Sequence, residues 1–175
     1  MKTIIILLFA ILTFCSSCKK IGLCKDKDLT LNKVEFTGNQ LRTDGFYYEK
    51  TIESEYSSLF ILYNNGIVME PGSTKENDLE KYISDVSKST LPFRTKYNWG
   101  LFNIDNNTIK IEHWLPAQCG YPAVLRTGEI LNDTTFILTK LERRDSQGTT
   151  QKDITQTFSF RKFSIKPDST NNFIN

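Results

Sequence analysis

Long apolar runs, repeated histidines and a charge of one sign are all missing from this 175-residue chain. The longest apolar stretch, Ile4 to Phe14, covers about eleven residues, whereas a membrane-spanning helix needs about twenty. Basic residues number 22 and acidic residues 20, for a net charge of +2. The two signs alternate along the chain, so no field draws nucleic acid or anionic lipid toward it, and nucleic-acid binding is disfavoured as a function class. No glycine-rich phosphate loop is present. His113 is the sole histidine, and no motif ties a serine or cysteine nucleophile to it.

The amino end is the most informative segment. Met1, Lys2 and Thr3 precede the apolar stretch, which gives way to Cys15, Ser16, Ser17 and Cys18, the layout of a secretory signal. This segment resembles the lipobox of bacterial lipoproteins, in which small residues precede a cysteine that is acylated and becomes the new amino terminus. Cys18 fits that role, because Ser16 and Ser17 are small, whereas cleavage before Cys15 would place bulky Phe14 at the cut. The motif usually carries Leu where this chain has Cys15. The alternative is an ordinary signal peptide cut nearby without lipid. With acyl chains on Cys18 the protein is expected in the bacterial cell envelope, anchored to the outer membrane on its periplasmic or surface side, since two chains suffice for stable anchoring.

Export implies an oxidising compartment. If Cys15 leaves with the signal and Cys18 is acylated, Cys24 and Cys119 remain to form a disulfide; two unpaired thiols are the alternative. Two lone cysteines and one histidine supply no zinc ligand set, and no cofactor is expected. The mature chain has the length of one domain. The expected division is a signal at 1–17, a tether at 18–28, a β domain at 29–165 and a polar, disordered tail at 166–175.

From Asp44 onward, runs rich in Tyr, Phe, Ile, Val and Thr alternate with Asn, Asp and Gly, the pattern of successive hairpins. Strands are predicted at Gly45–Lys50, Ser57–Tyr63, Ile67–Glu70, Tyr97–Ile104, Thr108–Trp114, Ala123–Leu131, Thr134–Arg143 and Thr150–Phe163. Between the third and fourth, Leu79, Ile83 and Val86 recur at helical spacing, Ser73 and Glu76 form a capping-box pattern, and Pro92 stops the helix. The fold class is therefore mainly β: an antiparallel up-and-down meander of about eight strands with one inserted helix, closing into a barrel to hide its edges.

Turn chemistry assigns faces. A type I′ turn at Asn65-Gly66 pairs Leu62 with Met69 and Tyr63 with Val68. A two-residue turn at Asn106-Asn107 pairs Ile104 with Ile109, Phe102 with Ile111 and Gly100 with His113 on the core face. Trp99 and Trp114 then lie on the other face, covered by the helix or the amino-terminal segment. A turn at Asn132-Asp133 puts Ile130, Ile137, Val124 and Leu141 on one face.

The runs Asp44-Gly45-Phe46-Tyr47-Tyr48, Trp99-Gly100-Leu101-Phe102-Asn103-Ile104, Thr108-Ile109-Lys110-Ile111 and Phe158-Ser159-Phe160-Arg161-Lys162-Phe163 together resemble the small lipocalin-like domains of bacterial envelope lipoproteins, over roughly Phe36 to Phe163. The inserted helix departs from an unadorned barrel of that kind. The resemblance implies a barrel whose mouth admits a small hydrophobic ligand. Phe102, Ile111 and His113 are the candidate ligand-binding residues, and the Leu115–Tyr121 loop is the candidate lid.

Other groups carry bland readings. Asp26 with Asp28 and Glu53 with Glu55 read as solvated carboxylates, and Arg143-Arg144 as a hairpin end. No catalytic constellation emerges, so the chain is expected to be non-enzymatic; a pocket with two convergent titratable groups would count against this. The two functions in play are a carrier of a small hydrophobic molecule and a packed barrel that contacts another envelope protein. If Phe46, Phe102, Phe158 and Phe160 fill the lumen and leave no void able to accept a ligand, the reading of a carrier that holds its molecule in the barrel fails.

Overall fold

The computed structural model describes residues 24–49, 54–89 and 95–174. Cys15, Cys18, Glu53 and Pro92 lie outside the described residues, and so do the cleavage, lipidation and helix-stop readings. The pattern-bearing segments form nine strands: β1 (Gly45–Glu49), β2 (Tyr56–Leu62), β3 (Ile67–Met69), β4 (Ser73–Lys75), β5 (Trp99–Asp105), β6 (Thr108–Trp114), β7 (Ala123–Asn132), β8 (Thr135–Asp145) and β9 (Gly148–Lys162). Eight of them close an antiparallel barrel in meander order. β3 pairs with β5 across the helical insertion, and β9 returns to β1, which also pairs with β2. β4 stands outside this ring, beside the start of β2.

The helix α1 (Leu79–Lys88) buries Leu79, Ile83 and Val86, the residues whose spacing predicted it. Its start differs from the expected one. Ser73 belongs to β4, opposite Ser58, and no side chain caps the helix; Asp78 occupies the cap position after a 3-10 turn at Glu76–Asp78. Pairing with β2 has claimed the backbone that a capping box would have used.

Around Asn106-Asn107 the register is the predicted one, with Gly100 opposite His113, Phe102 opposite Ile111 and Ile104 opposite Ile109. Asn106 takes a φ of 53°, a left-handed conformation that asparagine tolerates. The β2–β3 hairpin is offset by one residue from expectation: Ile61 faces Met69 and Leu62 faces Val68. Its loop has three residues, Asn64 to Gly66, with the Gly66 amide donating to Tyr63 O at 3.0 Å and Gly66 at φ +78°. Glycine thus serves as the left-handed residue that closes a three-residue loop, instead of the second position of a type I′ turn.

The β7–β8 hairpin also departs from expectation, because Asn132 pairs with Thr135 and the ladder shifts between Ile130 and Asn132 and again between Thr127 and Gly128. Phe136 therefore lies opposite Ile130 and shares its inward face, whereas Ile137, expected on the face of Ile130, pairs with Glu129 instead. Each bulge adds a residue to one strand and flips the faces beyond it.

Two apolar cores result, one on each side of the wall. The lumen is filled by Tyr47, Phe60, Leu62, Phe102, Ile111, Phe136 and Phe158, with Phe36 and Phe160 packed against them. Phe136 and Phe158 stack with ring centroids 5.1 Å apart. Outside the wall, Phe46, Leu59, Ile61, Met69 and Trp99 pack under α1. Phe46, one of the four rings considered as lumen filling, instead meets Phe163 edge-on in this outer core. Both faces of β2 are apolar because one faces the lumen and the other the helix.

The segments at either end are more ordered than their composition implied. Residues 24–28, expected to be tether, are bound to the barrel from Cys24 onward, and Phe36 and Leu41 close the lumen at the end that carries the Asn64 and Asp133 turns. The tail is packed, not disordered: Tyr63 donates to Pro167 O at 2.9 Å, and Phe173 and Ile174 join the outer core.

Candidate functional site

The barrel has a plugged end and a mouth. At the mouth, alternation along three strands turns Glu70, His113 and Arg126 inward. Glu70 follows Val68 by two positions, His113 lies opposite Gly100, and Arg126 lies opposite Ile111. Gly100 makes room: a Cβ there would collide with the Glu112 carbonyl and sit 2.6 Å from the His113 Cβ.

His113 Nε2 is 2.8 Å from Glu70 Oε2 and 2.5 Å from Arg126 Nη1, while Arg126 Nη1 is 3.4 Å from the same carboxylate oxygen. The Arg126 guanidinium stands 5.7 Å from the centre of the Phe60 ring. His113 Nδ1 lies 2.9 Å from Trp114 O. A carbonyl only accepts, so Nδ1 carries a proton. Nε2 then has two states: bare, it accepts from Arg126; protonated, it donates to Glu70. Burial opposes the Glu70 charge, but the opposing charge and hydrogen bond of His113, followed by those of Arg126, hold its pKa at about 2.

Two hollows flank this group. A cleft of about 770 Å³ runs between α1 and the mouth and is lined by Glu70, Tyr82, Val86, Tyr97, His113, Trp114, Leu115 and Pro116, among others. A second, of about 420 Å³, lies within the mouth against Leu115, Val124, Arg126, Leu141, Arg143 and Lys152. Leu115 borders both, so the expected lid loop forms the rim between them.

That rim is tied to the amino-terminal segment. Cys24 and Cys119 form the expected disulfide, with Cα atoms 4.7 Å apart. Asp26 accepts from the Tyr121 amide at 2.9 Å and from Lys96 Nζ at 2.8 Å, so it is a structural partner and not a solvated carboxylate. Burial works against the Asp26 charge, yet these bonds lower its pKa. The Trp114 indole donates to Lys27 O at 2.6 Å, and Lys96 Nζ sits 4.1 Å from the centre of a Trp114 ring. Trp99 lies under α1 and Trp114 under the amino-terminal segment, so each element covers one tryptophan.

Beyond Lys27 the segment crosses the outside of β6, where Glu112 is fully buried. Glu112 accepts from the Thr30 amide at 2.7 Å, the Thr30 hydroxyl at 3.0 Å and the Leu31 amide at 2.7 Å, and it pairs with Arg144. Arg144 is thus more than a hairpin end.

The three expected ligand-binding residues do not form one site. His113 reaches the cleft, Ile111 is enclosed in the lumen, and Phe102 borders a separate hollow of about 500 Å³ at the plugged end with Phe36 and Gln40. The site residues absent from the sequence reading are Glu70 and Arg126. Arg126 shares parity with Val124 and Ile130, a signal that was available. Among the described residues, no cluster of three metal-ligating side chains occurs. No protein-family profile matches the chain, and neither does any curated protein or solved structure compared with it.

Proposed function

We propose that this chain is a non-enzymatic, lipid-anchored envelope protein with a lipocalin-like barrel that holds a small amphiphilic molecule at its mouth. The observation that carries this reading is the 770 Å³ cleft, whose wall of Tyr82, Val86, Trp114 and Leu115 ends on the polar pair Glu70 and His113. Pockets that are mostly apolar with a few convergent polar groups are the usual form of small-molecule sites. The molecule occupies the cleft beside the barrel, because the lumen is filled with aromatic rings.

Two convergent titratable groups also suit an enzyme, but the geometry of His113 favours binding. Nδ1 is committed to Trp114 O, and Nε2 to Glu70 or Arg126. The signal-like start and Cys18 support the anchor. The packed lumen also favours a second reading, a module whose surface contacts another envelope protein.

Native mass spectrometry of protein purified from its own envelope tests the proposal. Wild type should carry a small bound mass, and Val86→Trp, which fills the cleft, should lose it. A wild-type protein that is bare, or that co-purifies with a protein partner alone, would reject the binding reading.

A further inference from the structure

The Cys24–Cys119 disulfide determines the end of the barrel from which the chain departs toward Cys18. The Leu115–Tyr121 loop borders both the cleft and the mouth hollow, so the bond lies on the mouth rim. From Cys24 inward there is no slack, since Asp26, Lys27 and Thr30 are all hydrogen-bonded to the barrel. Cys18 precedes Cys24 by six residues, a reach of at most about 21 Å even when fully extended.

We infer that the barrel is held with its mouth toward the bilayer, so that the cleft opens onto the lipid surface and draws its amphiphile from there. This rests on the Cys18 anchor proposed above. The plugged end lies a strand away from the disulfide: β5 and β6 have seven residues each, about 23 Å at the usual rise. The mouth end is also chemically suited to headgroups. Tyr56 is 52% exposed beside Lys75, and Tyr97 is 37% exposed near Lys96 and Tyr121. Tyrosine and lysine, apolar along the stem and polar at the tip, are side chains that settle at a lipid–water boundary. The other exposed large apolar residues among those described, Val34, Leu131 and Ile165, are at 55%, 58% and 54%, and they lie toward the plugged end without tyrosine's polar tip.

The test uses the full lipidated protein in vesicles of phosphatidylethanolamine and phosphatidylglycerol doped with a phospholipid bearing a headgroup diazirine. After photolysis, peptides containing Tyr56 and Tyr97 should carry several-fold more label than those containing Val34 and Leu131. Equal labelling, or an excess at the plugged end, would overturn the inference. Inserting a flexible Gly-Ser stretch of about fifteen residues between Lys20 and Cys24 frees the pivot and should erase most of the excess. An excess that survives would remove the disulfide as its cause and equally sink the proposal. Fatty-acid labelling of the same preparation separates the two layers: labelling lost in Cys18→Ser upholds the anchor, and labelling retained rejects the anchor itself.

Discussion

Glu112 and Glu70 are both withdrawn from water at the barrel wall, one on its outer surface and one on its inner. Glu112 accepts from two backbone amides and a hydroxyl and pairs with Arg144. Every partner belongs to the fold, and the amino-terminal segment seals the site. Glu70 has two side-chain partners, of which His113 has a second allegiance, and its side chain remains 19% exposed to a cleft. A saturated buried carboxylate holds elements together. An incompletely enclosed one beside an apolar cleft has capacity left for a ligand.

This contrast can be broken in order of expected effect. Opening the disulfide with Cys24→Ser and Cys119→Ser releases a 95-residue separation and should cost roughly 4–5 kcal/mol in the chain-entropy account, read from urea unfolding. Glu112→Gln leaves one oxygen, which the Thr30 and Leu31 amides share, and turns its NH2 donors against the Arg144 guanidinium; a loss of about 3 kcal/mol is expected. Amide exchange should show the loss first in residues 28–32. Little change there would mean that the outer site is dispensable.

Glu70→Gln should cost less, about 1–2 kcal/mol at neutral pH, because the site is partly open to water. Its signature is in the pH dependence. The folded pKa of Glu70, about 2, lies below its ordinary value of 4.5, so its contribution is present in full above about 4.5 and is lost as pH falls toward 2. Wild type should therefore lose stability across that window, and Glu70→Gln should flatten the slope. An unchanged slope would refute the assignment. Smallest of all, Lys81→Ala breaks an exposed helical pair with Asp85, and the unfolding midpoint should not move measurably.

These differences explain which parts of the molecule could be read from sequence. Strand alternation and the Asn106-Asn107 turn located His113 in the lumen mouth, since a two-residue loop leaves one register. Glycine after Asn65 suits both a two-residue and a three-residue loop, and the β2–β3 register went astray there. The bulges in β7 and β8 leave no sequence mark, so Ile137 and Phe136 exchanged places. The segment from Cys24 to Leu31 has no periodicity, because its order comes from single bonds to Glu112, Trp114 and Tyr121 and not from a repeating face. Glu70 was taken as the end of a strand; the histidine and arginine that hold it are distant in sequence.

Because β9 returns to β1, the strands of the ring satisfy their backbone hydrogen bonds with one another. Among the described residues, β4 alone stands outside the ring, and it has three residues ending in Lys75. Short, lysine-bearing edges are poor templates for strand addition. Molecules confined to a surface collide with their neighbours far more often than the same number free in solution. With the anchor proposed above, a closed ring would let copies of this chain crowd there without zipping edge to edge.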